Sequence, residues 1–138
     1  MEDNSTVAPA PKPKEVLSAF KYINRRLRKA LEGEHKRLRE AFYEQHKDPD
    51  GFVLCPVTGK RLRYKDLSVD HITPFYMLRN QWLRERGIPI RKGRKITTEE
   101  LQDWQRWHQQ HAKLRVMDKQ ANKEHGEIWY GRWFTLCL

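Results

Sequence analysis

The recurrence of Val16, Phe20, Ile23, Leu27, Leu31, Leu38 and Phe42 at steps of three, four or seven constrains this chain more than any other feature. Residues at those steps share one side of an α-helix, so the segment 14–46 is expected to be a long amphipathic helix with a single apolar stripe. Gly33 is the residue at which it could bend or break. The other side carries Arg25, Arg26, Arg28, Lys29, Lys36, Arg37 and Arg39. Such a face either stays in water or lies along a polyanion, and the two uses are compatible.

At 138 residues the chain has room for one domain and an arm. It holds 28 Lys+Arg against 18 Asp+Glu, a net charge of +10. With 33% charged residues it is not an integral membrane protein, and its five Trp argue against a disordered tail. Residues 1–13 have no apolar run of the signal-peptide kind and read as a flexible lead-in, so a cytoplasmic protein is expected. Cys55 and Cys137 are too few for a disulfide scaffold, and with no CxxC a four-cysteine zinc site is excluded.

The charge is uneven: +4 over 14–46, +7 over 47–96 and zero over 97–138, with eleven bases against three acids in 60–95. Its densest run is Arg91 to Lys95. A nucleic-acid backbone is the expected partner, with Arg25, Arg26, Lys29, Arg61, Arg63, Arg91, Lys92, Arg94, Lys95, Lys113 and Lys123 as candidate phosphate contacts.

After a turn at Lys47–Gly51, Phe52–Cys55 reads as a short strand. Pro56–Lys60 reads as a turn in which Gly59 takes the unusual backbone angle, and Arg61–Tyr64 and Leu67–His71 as returning strand segments. Pro74 opens a helix bearing Phe75, Leu78 and Trp82, which Gly87 stops. Thr97 and Glu100 form a capping box for a second helix, with Leu101, Trp104 and Trp107 or His108 on one side. Trp82, Trp104 and Trp107 are expected in the core, and His35 and His46 on the surface or in helix packing. The last segment, from Leu114 to about His125, starts extended and ends helical. The apolar tail from Ile128 to Leu138 is expected to close the domain as a strand or hook, or to meet a protein partner.

Two places carry chemistry. In Val69-Asp70-His71-Ile72-Thr73-Pro74 a carboxylate stands beside an imidazole at a strand end, where one can hold a cation and the other can take a proton from water. Neighbouring strand residues ordinarily face opposite ways, so both reach one site only if the strand end twists. Further on, Asn122 and His125 share one helix face. With Asp70 they make an oxygen-rich, thiolate-free set suited to Mg2+ or Mn2+.

Strand, turn and strand ending in Val69-Asp70-His71, with Leu114-Arg115-Val116-Met117, Asn122 and His125 downstream, resembles the HNH, or ββα-metal, nuclease superfamily. Thr58-Gly59, Pro74-Phe75 and the run from Trp104 through Trp107-His108 to Ala112 and Leu114-Arg115 are similar to its DCL-like branch. The resemblance covers roughly residues 52–126. It implies an α+β fold: a small ββα-metal (HNH) core, with the long N-terminal helix added and further helices between the strand and the final helix. The organisation expected is a flexible segment 1–13, a basic helical arm 14–46 and a nuclease domain 47–138. The implied activity is metal-dependent hydrolysis of DNA phosphodiesters, nicking or cutting, with RNA as an alternative substrate. His71 would be the general base, Asp70 and Asn122 metal ligands, and His125 a third ligand or a phosphate contact. The family's middle Asn, which orients the base, aligns with Lys113, leaving His108 or His111 as candidates for that work. The zinc knuckle of many relatives is absent, and no sequence-reading module is visible, so cutting of low specificity is expected, in a phage or mobile-element setting. A nucleic-acid-binding module without turnover is the alternative.

Overall fold

The computed structural model describes residues 12–124. The expectations for the 1–11 segment, for His125, for Cys137 and for the tail from Ile128 to Leu138 lie outside the described residues.

The fold is α+β. Helices α1 (Pro13–Ala30) and α2 (Glu32–His46) come first, followed by strands β1 (Val53–Leu54) and β2 (Arg61–Leu62) and a 3-10 turn at Tyr64–Asp66. Strand β3 (Leu67–His71), helices α3 (Phe75–Glu85) and α4 (Thr98–His111), and strand β4 (Leu114–Asp118) complete the order, and residues 119–124 are helical.

The expected single arm is two helices, and the break falls at Leu31 rather than Gly33. The apolar stripe explains why. Ile23, Leu27 and Leu31 are buried against Phe75, Leu78, Trp82 and Trp104 from α3 and α4, and Leu31 is 1% exposed. Its N–H turns back onto the carbonyls of Arg28 and Lys29. Two other carbonyls in the last turn of α1 are met from α4: Trp104 Nε1 donates to Leu27 O at 3.1 Å, and Gln105 Nε2 to Ala30 O at 2.8 Å. A helix end otherwise leaves such acceptors to water, so α4 both caps and anchors α1. Beyond the break the stripe no longer faces this core, and Leu38 is exposed while Phe42 packs against a second cluster.

Trp82, Trp104 and Trp107 are core, as their spacing predicts. Trp82 and Trp104 are fully buried, and each indole has a partner: Trp82 donates to Asp103, Trp107 to Glu85. The expected capping box is present at Thr97 and Glu100. Pro74 stands at the N-cap of α3 rather than inside it, and Gly59 and Gly87 have φ of 73° and 64°.

The strands depart from expectation. β2 pairs antiparallel with β1, whereas β3 belongs to a separate two-stranded sheet and pairs with β4, Val69 opposite Val116 and Asp70 opposite Arg115. The 3-10 turn separates β2 from β3, so Leu67–His71 does not return along Phe52–Cys55. Strand β4 then leads straight into the helical segment 119–124. The described order is therefore strand, two inserted helices, strand, helix. Val53, Cys55, Leu62, Leu67, Val69, Val116 and Met117 form the second core cluster, beneath α2.

Candidate active site

The pleat of β3 decides what Asp70 and His71 can reach, because successive side chains point to opposite faces. Both residues lie within the ladder, Asp70 opposite Arg115 and His71 opposite Leu114. One face gathers Asp70, Ser68 and Asn122. The other carries His71 toward α2 and α4.

On the first face Asp70 is 4% exposed, and Arg115 Nε donates to its Oδ2 at 2.8 Å. Asn122 Nδ2 donates to Ser68 Oγ at 2.8 Å and to Val69 O at 3.2 Å, which ties the helical segment back onto β3. Carboxylate and amide oxygens are the right kind of donor for Mg2+ or Mn2+. A cation at Asp70 would have to share that carboxylate with the Arg115 guanidinium or displace it. Among the described residues no three His, Cys, Asp or Glu side chains are placed to hold one metal ion.

The second face is a cluster of three imidazoles that the sequence does not announce. His71 Nε2 and His108 Nε2 are 2.8 Å apart, a distance that fits one shared proton. The His35 ring stands edge-on to His71, with centroids 5.5 Å apart, and Phe75 closes another side at 5.5 Å. Burial holds all three rings in the neutral form. Desolvation first, then the neighbouring His108, His35 and Arg28, lower the pKa of His71 to about 3. Desolvation, Arg39 and Arg28 lower that of His35 to about 4, and desolvation and His35 lower that of His108 to about 4.

His108 is therefore the second histidine brought to His71, and His111 is not. His111 stacks on Trp107 at 4.1 Å, with Nδ1 against the Trp107 carbonyl. His35, expected on the surface or in helix packing, is in this cluster. The signal for it lay in the apolar stripe: Leu27, Leu31 and His35 continue at steps of four, as do Trp104 and His108 on α4. His35 lies beyond the break at Leu31, yet it is half-buried and its ring meets His71. Arg28, expected on the basic outer face of the helix, is exposed and also reaches this cluster. Its guanidinium lies 4.0 Å from the Phe75 ring centroid, beside the imidazoles.

The basic side chains divide into two groups. Arg94 donates to both carboxylate oxygens of Glu100, at 2.9 and 2.7 Å, and to the Lys95 carbonyl. Lys95 lies over the Tyr22 ring at 4.8 Å. Arg61 pairs with Asp48 and Asp50 and, with Arg63, stacks on Phe52. Arg26 has its Nε buried. Of these, Arg94 is the half-buried one held bidentately, while Arg61, Arg63 and Lys95 are exposed with their contacts, and the buried Arg26 Nε has no hydrogen-bond partner among the described residues. Arg25, Lys29, Arg91, Lys92, Lys113 and Lys123 are exposed, Arg25 near the Tyr22 ring.

Among the described residues no helix is long and apolar enough to cross a membrane. In comparisons with known proteins the chain matches no family, no curated protein and no solved structure.

Proposed function

We propose that this protein is a metal-dependent endonuclease of the HNH kind that hydrolyses phosphodiester bonds in DNA, with His71 as general base. The observation that carries the reading is the environment of His71: an imidazole kept neutral by burial, hydrogen-bonded to His108, one residue from a buried carboxylate at the end of a strand. A neutral imidazole can take a proton from water. At a pKa of about 3 it is a weak acceptor, and the negative charge of an approaching phosphodiester raises it toward the useful range. Asp70 and Asn122, on the other face of β3 from His71, would hold a divalent ion that when bound supplies positive charge to a phosphate. That pair and His71 serve one phosphodiester only where the end of the strand twists to bring the two faces together. Arg28 and the exposed Arg25, Lys29, Arg91 and Lys92 supply charge for the nucleic-acid backbone.

The test is relaxation of supercoiled plasmid in Mg2+ or Mn2+. Wild type is expected to nick and His71→Ala to fail; equal nicking by the two overturns the reading. The Arg115–Asp70 pair favours a second reading, a nucleic-acid-binding module without turnover. Tight, salt-dependent DNA or RNA binding with no metal uptake by calorimetry would select it.

A further inference from the structure

We propose that Glu34 and His108 are positioning residues that fix the tautomer of His71, keeping its proton on Nε2 and its lone pair on Nδ1. The catalytic meaning rests on the endonuclease reading above; the tautomer does not.

The argument is an inventory of protons. Two neutral imidazoles meeting nitrogen to nitrogen at 2.8 Å must share one hydrogen, so one ring donates and the other accepts. His71 and His108 alone are symmetric in this respect. Glu34 breaks the symmetry. Its Oε2 lies 3.6 Å from His108 Nδ1, at the closed end of the pair, and His108 is 0% exposed. His108 Nδ1 has no hydrogen-bond partner within 3.5 Å, so the carboxylate is what it faces. An ionised carboxylate only accepts; burial raises the Glu34 pKa, and Arg37 beside it offsets part of that rise. If His108 carried its proton on Nε2, a buried lone pair on Nδ1 would point at that carboxylate, an unfavourable arrangement in a poorly solvated site. With the proton on Nδ1, an N–H points at the carboxylate instead. His108 Nε2 is then the acceptor, His71 Nε2 must be the donor, and His71 Nδ1 holds the lone pair.

In this arrangement Glu34 orients His108, and His108 orients the base. The partner groups come from different elements: α2 supplies Glu34, α4 supplies His108 and β3 supplies His71. The helical arm is therefore part of the site as well as a carrier of positive charge. His35, adjacent to Glu34, places its ring edge-on against His71 on that side of the pair.

The experiment reads the tautomers directly, by long-range proton–nitrogen correlation on the full chain with 15N-labelled histidine at neutral pH. Wild type is expected to show His71 protonated at Nε2 and His108 at Nδ1. His71 protonated at Nδ1 overturns the proposal, whatever the plasmid assay gives. Glu34→Gln is isosteric, and its amide N–H2 can donate to His108 Nδ1, so the two assignments are expected to reverse. An unchanged His71 tautomer in a folded Glu34→Gln removes Glu34 from the relay. If that variant does not fold, the wild-type spectrum together with His108→Phe decides, since loss of the acceptor must free His71 to populate both tautomers. In the nicking assay Glu34→Gln is expected to lower kcat about tenfold or more with KM little changed, and Glu34→Asp to recover part of it. If wild type shows the expected tautomers and does not nick, the endonuclease reading fails and the relay stands.

Discussion

His71 and His108 touch at Nε2, 2.8 Å apart across 37 positions of sequence, and this contact joins the end of β3 to the buried face of α4. Replacing His108 by Phe keeps ring volume and the packing on Trp104, whose ring lies 5.1 Å away, and removes the acceptor. We expect His108→Phe to bind DNA like wild type and to nick it at least about tenfold more slowly, measured by gel shift and plasmid relaxation on one preparation.

The imidazole cluster gives the protein an acid-sensitive fold. The folded pKa values, about 3 for His71 and about 4 for His35 and His108, lie below the 6.5 of a free histidine. As pH falls below about 6.5 the unfolded chain binds protons that the folded chain refuses. Stability is thus complete above that pH and is lost as pH falls toward 4, at up to about 1.4 kcal/mol per pH unit for each ring. Glu34, whose pKa is raised by burial, offsets part of this near its own titration. Urea midpoints between pH 7.5 and 4.5 check it: they should drop, and drop less steeply in His108→Phe.

Two kinds of basic residue in one loop should separate cleanly. Arg91→Ala with Lys92→Ala is expected to weaken DNA binding, to lower the slope of log affinity against log salt by about 2, and to leave the melting temperature unchanged. Arg94→Ala breaks the bidentate contact with Glu100 and should cost about 1 kcal/mol of stability, with a small effect on the salt slope. Salt-series binding and thermal melts of the two variants distinguish the roles.

The α1–α4 junction offers a graded pair. Trp104→Phe loses the hydrogen bond to Leu27 O and leaves a void in the core, and should cost about 1–3 kcal/mol. Gln105→Ala loses the more exposed bond to Ala30 O, where water can substitute, and should cost less than about 1 kcal/mol. Chemical denaturation gives both numbers.

Arg115→Gln leaves the buried Asp70 without its guanidinium and should cost about 1–3 kcal/mol. If that carboxylate also accepts a divalent ion, Mn2+ will raise the melting temperature of the variant more than that of wild type. Equal responses would assign Asp70 to the ion pair alone.

Local chemistry was legible in the sequence, and long-range pairing was not. Thr97 and Glu100, Gly59 and Gly87 act within a few residues of themselves, so their patterns name the cap and the turns they make. The buried Trp trio follows from helical spacing. The partner of β3 does not follow, because its mate lies beyond two helices, and a nearer strand at Arg61–Leu62 offered a plausible substitute. Arg94 looks like a free charge until the turn of the chain brings it to Glu100. In the candidate site, Asp70, His71 and Asn122 stood out as residue types, whereas Glu34, His35 and Arg28 entered only when α1 and α2 were packed. The pleat then separated Asp70 from His71, which spacing alone could not decide.

The pairing of β3 with β4 has a consequence for how the molecule is made. The two strands are the ends of an excursion through residues 72–113, and closing a loop of that size as loose chain costs roughly 3 kcal/mol in entropy. Helices α3 and α4, condensed around Trp82 and Trp104, shorten that excursion before the ladder has to form. The helical body should therefore assemble first and the sheet that presents Asp70 and His71 last, so that a half-folded chain is one in which the proposed chemistry has yet to exist.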